Sequence, residues 1–424
     1  MRRFFLLVLC LGLLGLGACR APMGEENGSP ALPGLEPEGA LSPQTALTPP
    51  APTGPQRLLW ISQFDLDEVY LEKGRQRPEA DFSARITQIL ARAKSLGFQA
   101  CLVQVHPYGD SFYRSQVFPW SRYVTGAYGR EAGYDPFLVL TQQARALGLE
   151  IHAWINPFRL MKPQEMQALP SGHFLRQWAA DGSGRVVEVE GRCYFDPAFV
   201  QVQERLVQVV QELCQSYLIA GVHMDDYFYP TTAPCFDALS YAAYRAGGGS
   251  LELGDFRRQN VSRVVQALYR AVKECSPELR FGISPAGNLQ SVMEDQYADV
   301  ALWCREPGYV DYLCPQVYFG FEHQRFPFDG VCRSWMELPR DPGVALWVGV
   351  TFTKAGLAKD PYAGTGAGEW ARNTDVLKRS VEFVYAQPRI TGLCVFSLSY
   401  LLDPLTLETP PDSQAELKNF LQVF

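Results

Sequence analysis

Eight short apolar segments alternate with longer amphipathic segments between residues 57 and 424, and this alternation constrains the fold more than any other feature. The predicted strands are 57–64, 98–105, 149–155, 218–225, 280–285, 310–319, 344–352 and 390–398. Helical periodicity predicts helices at 82–96, 135–147, 198–216, 256–275, 295–304, 370–385 and 413–423, with no clear helix in 320–343. Strands that alternate with helices lie parallel in one sheet.

Eight such strands predict an α/β fold, a (β/α)8 TIM-type barrel with extended loops after its strands. A doubly wound open sheet is the alternative. No Gly-x-Gly-x-x-Gly follows the first strand, which argues against a dinucleotide-binding sheet. Gly97 and Gly148 each follow a predicted helix, where a glycine accommodates the left-handed conformation that ends a helix.

The chain before residue 57 is predicted to lie outside the barrel at 57–424. Residues 1–18 resemble a lipoprotein signal peptide, because two arginines precede an apolar run that ends in Leu-Gly-Ala-Cys at Cys19. Cys19 would then carry a lipid and anchor the protein to a membrane. Residues 19–56 are rich in Pro, Gly and Ser and predict a flexible tether. The pattern predicts export to a bacterial cell envelope; a plain cleaved signal or an N-terminal membrane anchor is the alternative.

Composition and motifs exclude several classes of function. The chain has 45 acidic and 38 basic residues, and its net charge of −7 argues against a nucleic-acid partner. It contains no Cys-x-x-Cys, His-x-His or His-Glu-x-x-His pattern, so neither a metal ion nor another cofactor is predicted. The absence of a Gly-x-Ser-x-Gly elbow and of a P-loop leaves an α/β-hydrolase or an NTPase without support. No protein partner can be identified.

The strongest chemical signal follows the fourth predicted strand, where Asp225 and Asp226 stand side by side before a Tyr-Phe-Tyr run. Active sites of such barrels lie at the carboxyl ends of the strands. Two neighbouring carboxylates in a poorly solvated cleft have separated pKa values, so one is ionised while the other holds a proton. This combination suits glycoside cleavage. A turn cap or a structural ion pair is the alternative interpretation.

Polar and aromatic side chains at the other strand ends predict glycan contacts, although core packing or turn chemistry would explain many of them. The predicted substrate-binding residues are His106, Asp110, His152, Trp154, Asn156, Arg159, His223, Tyr227, Tyr229, Ser284, Gln316 and Tyr318. The two-residue period of a strand places His152, Trp154 and Asn156 on one face, and Gln316 and Tyr318 on another.

Several runs resemble the glycosyl-hydrolase-like family 10 proteins. They include GVHMDDYFYP (221–230), HAWINPFR (152–159) and GDSFYRSQVFPWSRYVTG (109–126), and the resemblance extends over about 57–400. The resemblance implies a TIM-type barrel in an exported or envelope lipoprotein, with glycosidase activity and peptidoglycan as a natural substrate. His106 and Tyr108 depart from the family pattern, which has Arg and Glu at these places.

Two mechanisms fit this resemblance. In the first, Asp225 is a nucleophile, as on the similar strand of α-amylase-like enzymes; those enzymes take their acid from strand five, which here ends in Ser284. In the second, the N-acetyl group of the substrate is the nucleophile, as in family 84 and family 20 N-acetylhexosaminidases. Tyr318 would then steady the amide. We favour the second, with Asp226 as acid and Asp225 as orienting base, although the two roles can be exchanged.

The function predicted from the sequence is therefore an envelope-tethered glycoside hydrolase that acts on an N-acetylhexosamine-containing glycan. Two alternatives stay open. One is a catalytically silent glycan-binding barrel, since strands five and six bring no further carboxylate. The other is an envelope scaffold whose partner is a protein.

Overall fold

A computed structural model of the chain describes residues 54–424. Its strands are β1 (Gln56–Ile61), β2 (Leu71–Glu72), β3 (Arg75–Gln76), β4 (Ala100–His106), β5 (Glu150–Ile155), β6 (Val186–Val189), β7 (Arg192–Phe195), β8 (Gly221–Met224), β9 (Arg280–Ile283), β10 (Tyr312–Leu313), β11 (Ala345–Thr351) and β12 (Gly392–Phe396). The predicted signal peptide, Cys19 and nearly all of the predicted tether lie outside the described residues.

The α-helices are α1 (Asp67–Tyr70), α2 (Glu79–Ser95), α3 (Arg122–Thr125), α4 (Pro136–Leu147), α5 (Pro163–Gln167), α6 (Phe174–Ala180), α7 (Val200–Ser216), α8 (Ala238–Ala246), α9 (Leu253–Cys275), α10 (Leu289–Glu294), α11 (Val300–Arg305), α12 (Phe328–Glu337), α13 (Glu369–Arg372), α14 (Val376–Tyr385), α15 (Leu398–Leu401) and α16 (Pro411–Phe420). None of the helices in residues 54–424 is long and apolar enough to cross a bilayer.

Eight of the strands close into a parallel barrel in the order β1, β4, β5, β8, β9, β10, β11 and β12. β12 returns to β1, where Gly392 pairs with Gln56, while Leu58 of β1 pairs with Ala100 of β4 on its other side. Since neither the first nor the last strand leaves an edge, the predicted TIM-type barrel is confirmed and the open sheet is excluded.

The prediction that 320–343 lacks a helix is wrong. The helix α12 lies within this segment and buries Phe328, Val331, Cys332 and Trp335. These positions follow the spacing i, i+3, i+4, i+7 of an amphipathic helix, so the signal was present in the sequence but was short. The predicted helix 295–304 is shortened to α11, the predicted helix 370–385 is divided into α13 and α14, and the hairpins β2–β3 and β6–β7 were not predicted.

Strand β10 is much shorter than the predicted strand 310–319. Its ladder covers only Tyr312 and Leu313, and Pro315 follows, which has no backbone N–H to donate. The chain then returns to the sheet at Gln316, which bridges Ala286 and Gly349 separately. Because of this irregular end, Gln316 comes to lie between the carboxyl ends of β9 and β11.

Asp65 joins the two ends of the barrel wall at the carboxyl end of β1. Its Oδ1 accepts hydrogen bonds from the Ser397 hydroxyl (3.0 Å) and the Ser399 N–H (2.9 Å), both just beyond β12. At the opposite end, the Arg57 guanidinium donates to the carbonyl of Phe424 (2.7 Å). The described chain therefore starts and ends at the amino end of the barrel.

Candidate active site

Asp225 and Asp226 follow β8 directly and therefore lie at the carboxyl end of the barrel. They are only 3% and 4% exposed. Arg159 acts electrostatically on both carboxylates, and the charge of both acts on the Tyr318 hydroxyl. The pair is thus enclosed at the end of the barrel where the chemistry of this architecture occurs.

Burial is the main reason that the pKa of Asp225 is raised well above 3.8, and the negative charge of Asp226 raises it further. The Tyr227 N–H donates to Oδ1 at 3.4 Å, and Arg159 and the Trp154 indole also oppose the rise. Oδ2 of Asp225 is buried without a well-aligned hydrogen bond. Burial and the neighbouring charge therefore favour the protonated form of this carboxyl.

Asp226 has the lower pKa of the two. Burial raises it to about 6, while a hydrogen bond from the Gln316 side chain and the charge of Arg159 hold it down. Two negative charges this close together in a buried site oppose each other, so the pair favours keeping a proton. Such a pair can supply an acid and a base to the same substrate.

Aromatic rings stand around the carboxylates. The ring of Tyr318 lies 6.5 Å from that of Trp60 and 5.7 Å from that of Phe396, in edge and tilted arrangements. On the other side, Tyr227 and Tyr108 stack on Arg159, whose guanidinium carbon is 4.2 Å and 5.0 Å from their ring centroids. Rings of this kind bind the apolar faces of sugars.

Beneath the carboxylates, four side chains form a buried hydrogen-bonded chain. The Trp60 indole donates to Nε2 of His223 (3.2 Å), so a neutral His223 carries its proton on Nδ1. That nitrogen lies 3.0 Å from the Tyr312 hydroxyl, which in turn lies 3.0 Å from Nδ1 of His152. Burial lowers the pKa of His152 to about 3 and that of His223 well below 6.5, so both are neutral.

His152 and His223, which the sequence predicts as glycan contacts, both belong to this buried chain. Both side chains are fully buried, and protein partners occupy the nitrogens that face Tyr312. Both side chains lie deeper in the barrel interior than Trp154 and Asp225 and help to hold these two residues in position.

Replacing Tyr312 with phenylalanine is expected to lower the free energy of unfolding by about 1–3 kcal/mol, because two buried imidazoles lose their shared partner. Urea denaturation at neutral pH measures the change. Tyr362→Phe is the matched control, since Tyr362 is exposed and a surface change costs about 0.5 kcal/mol or less. Equal midpoints for the two variants would contradict the hydrogen-bonded chain.

The loop after β4 satisfies most of its polar groups internally. Nδ1 of His106 lies 2.7 Å from the Asp110 carbonyl, and Asp110 accepts from the Tyr108 N–H at 2.8 Å. Both predicted contacts, His106 and Asp110, are completely buried. Turn chemistry accounts for these contacts, while Nε2 of His106 is buried without a hydrogen-bond partner among the described residues.

The remaining predicted contacts divide into two groups. Five of them interact with Asp225 or Asp226 through charge or hydrogen bonding, namely Trp154, Arg159, Tyr227, Gln316 and Tyr318. Of the other three, Asn156 accepts from Gln104 (3.2 Å), and Tyr229 packs on Phe236 and Tyr297. The Ser284 carbonyl accepts from Gln316 (3.1 Å), while the Ser284 hydroxyl is buried without a hydrogen-bond partner in the described part of the chain.

Four residues near the site were missed by the sequence analysis: Trp60, Tyr108, Arg192 and Phe396. Trp60 and Phe396 lie near the ends of predicted strands, where the two-residue period was available to find them. Arg192 belongs to the hairpin β6–β7, and no pattern in the sequence indicates that this hairpin reaches the site. Within residues 54–424 no cluster of His, Cys, Asp or Glu is arranged to hold a metal ion.

A closed parallel barrel with two enclosed carboxylates at its carboxyl end defines a TIM-barrel protein with a candidate active site at that end. The chain belongs to the glycosyl hydrolase-like 10 family, which matches residues 56–362. It is 28% identical to the glycosyl hydrolase DigH of Escherichia coli K12 over 409 residues, covering 87% of this chain and 90% of DigH. It is 30% identical to the glycosyl hydrolase YngK of Bacillus subtilis over 295 residues, covering 65% of this chain and 56% of YngK.

Two solved structures share the fold at low sequence identity. The PgaB (BpsB) glycoside hydrolase domain from Bordetella bronchiseptica superposes with a TM-score of 0.54 at 12% identity, covering 86% of this chain and 98% of that domain. The catalytic domain of beta-amylase from Paenibacillus polymyxa has a TM-score of 0.54 at 11% identity, with coverages of 87% and 97%. At these identities the likeness establishes the barrel and nothing finer.

Proposed function

We propose that this protein is a glycoside hydrolase that cleaves an N-acetylhexosamine-containing glycan, with peptidoglycan strands as its substrate and Asp225 and Asp226 as its catalytic residues. The observation that carries the proposal is the enclosed carboxylate pair, whose pKa values are both raised by burial. Membership of a hydrolase-like family and the glycosyl hydrolases among its relatives support the reaction class.

A nucleophile supplied by the substrate fits the site better than one supplied by the protein. A retaining mechanism with two protein carboxylates needs them on opposite sides of the sugar, about 5 Å apart. Here the two acids are neighbours on one strand end, and the next strands bring Ser284, Gln316 and Tyr318. The N-acetyl oxygen would therefore attack the anomeric carbon while one aspartate orients the amide N–H and the other protonates the leaving oxygen.

The two pKa values favour an exchange of the roles assigned from the sequence. Asp225 retains the proton, because burial and the charge of Asp226 both oppose its ionisation. Asp226 ionises first, because Gln316 donates to it. Asp225 is then the proton donor, and Asp226 is the carboxylate that orients the substrate amide.

Release of reducing ends from peptide-free glycan strands tests the activity. Strands that bind without being cleaved would favour a silent glycan-binding barrel instead. The roles are separated by an N-acetylglucosaminide with a good leaving group such as 4-nitrophenol, which needs little acid assistance. Asp225→Asn should retain much more activity on this substrate than on strands, whereas Asp226→Asn should lose both; the reverse pattern would restore the assignment of Asp226 as acid.

The pH profile of kcat/KM is expected to be bell-shaped, because the pair must hold one proton. Activity should rise as pH increases through about 6, where Asp226 ionises, and fall at higher pH as Asp225 loses its proton. The pKa values read from the two sides of this profile describe the coupled pair in the free protein, not either aspartate alone. Initial rates at low substrate concentration across pH 4–10 measure the profile, and a rate that is independent of pH between 5 and 7 would contradict it.

We further propose that the protein acts in the bacterial cell envelope, tethered to a membrane through a lipid on Cys19. The lipoprotein-like ending of its first 19 residues supports this proposal. Incorporation of labelled palmitate that is lost in Cys19→Ala would bear it out, and a labelled Cys19→Ala protein would refute it.

A further inference from the structure

Two arginines beside the carboxylate pair have no acidic partner of their own. Arg159 follows β5 and Arg192 begins β7, and a backbone bridge between Arg159 and Tyr194 brings the two segments together. Among residues 54–424, neither guanidinium forms an ion pair of the kind that Arg185 and Arg257 form with aspartates. Arg159 feels the charge of the carboxylate pair at longer range, so the two guanidinium groups together bring more positive charge than the pair brings negative charge.

Aromatic rings fix the positions of both guanidinium groups. Tyr108 is shared, with its ring centroid 5.0 Å from the guanidinium carbon of Arg159 and 4.5 Å from that of Arg192. Arg159 also stacks on Tyr227 at 4.2 Å. Stacking holds a guanidinium in place through its faces and leaves the N–H groups around its edge free to donate.

Few of these N–H groups are used. Nη1 of Arg192 donates to the Leu160 carbonyl (2.8 Å), and the buried Nε of Arg159 has no hydrogen-bond partner in the described part of the chain. A guanidinium offers five donors in a planar fork that matches a carboxylate.

We propose that Arg159 and Arg192 form a carboxylate-binding subsite, which selects glycans whose sugars carry an acidic group next to the bond that is cleaved. This inference rests on the proposed function and adds a substrate feature to it. The lactyl group of a peptide-free muramyl residue and the carboxyl group of a uronic acid share the required chemistry.

The test compares two substrates that differ only in charge: peptide-free glycan strands with free lactyl carboxylates, and the same strands after conversion of those groups to methylamides. We expect the wild-type kcat/KM to be about 10–100-fold higher for the charged strands, the range for one or two charge-assisted hydrogen bonds. In Arg192→Gln this ratio should fall to about one-tenth or less of its wild-type value. Arg159→Gln provides an independent second variant.

Arg205→Gln is the matched control, because Arg205 also stacks on a ring, that of Phe174 at 4.8 Å, but on an outer helix. The control should keep the wild-type preference. An equal kcat/KM for charged and neutral strands in the wild type would overturn the subsite, as would a preference that survives in both Arg192→Gln and Arg159→Gln.

Binding measurements separate this inference from the proposed function. Calorimetry with Asp226→Asn compares the affinity of the same two strands without turnover, and an oligouronate tests the second source of a carboxylate. If the wild type cleaves neither strand, the proposed function fails, but tighter binding of the charged strands would still support the subsite. Equal affinities for charged and neutral ligands would overturn it, whatever the turnover.

Discussion

Asp226→Asn is expected to reduce turnover of glycan strands by about 10²–10⁴-fold, the contribution of a positioned acid or base to such a reaction. Asparagine has nearly the same shape as aspartate but can neither ionise nor accept a proton. The loss should appear in kcat rather than only in KM, because the carboxylate acts in the transition state. Reducing ends released per enzyme per minute measure the change, and a variant that keeps wild-type turnover would refute the assignment of Asp226.

The same variant is expected to be at least as stable as the wild type at pH 7. The pKa of Asp226 is raised to about 6, so between pH 4 and 6 the folded protein binds more protons than the unfolded chain. Stability therefore falls as pH rises through this window. Asparagine does not ionise, so it removes this loss of stability at pH 7. The difference in stability between the variant and the wild type should vanish below pH 4. Thermal unfolding at pH 4 and pH 7 checks the sign.

A matched control for this substitution is Asp196→Asn. Asp196 is also buried, and burial raises its pKa to about 7. It contacts the Ser240 hydroxyl and the Ala198 N–H rather than the carboxylate pair. Retained turnover in Asp196→Asn would show that the loss in Asp226→Asn comes from the site and not from the removal of any buried carboxyl.

Asp237→Ala is expected to lower the free energy of unfolding by about 3–5 kcal/mol, because it leaves the Arg257 guanidinium buried without a counter-charge. The two side chains are both 0% exposed, with 2.6 Å between Nη2 and Oδ1. Arg257 also donates to the carbonyls of Thr232 and Ala233. The pair thus fixes the loop that leads from Asp226 towards α9. Chemical denaturation measures the loss.

Asp255→Ala provides the comparison for this loss. Asp255 pairs with Arg258 on the same helix at 2.7 Å, but the two side chains are 56% and 31% exposed. Solvent screens such a pair, so its removal should cost about 0–1 kcal/mol. If both variants unfolded at the same denaturant concentration, burial would not be what gives the Asp237–Arg257 pair its importance.

The barrel was predictable because its strands are continuous apolar runs and its helices are long enough to show their period. The helix α12 was missed, although Phe328, Val331, Cys332 and Trp335 have helical spacing, because its two and a half turns follow a loop rich in aromatic residues. Asp225 and Asp226 were found because a local pattern, two acids after an apolar strand, coincides with the end of the barrel where active sites occur.

Depth within the barrel could not be predicted. A two-residue period indicates which side chains point inward. It does not indicate how deep they lie, because each step of two residues moves a side chain about 7 Å along the barrel. His152 therefore lies beneath Trp154, and His223 beneath Asp225, although each pair shares a face of its strand. The arginine subsite was equally hidden, because Arg192 reaches Tyr108 through a hairpin whose placement depends on tertiary packing.

The contact between Arg57 and the Phe424 carbonyl has a consequence for orientation. Both termini of the described chain leave from one pole of the molecule, and Asp225 and Asp226 occupy the other. Any anchor on the polypeptide before residue 54 is therefore joined to the barrel at its amino end. The candidate active site therefore lies on the side of the barrel away from this attachment point.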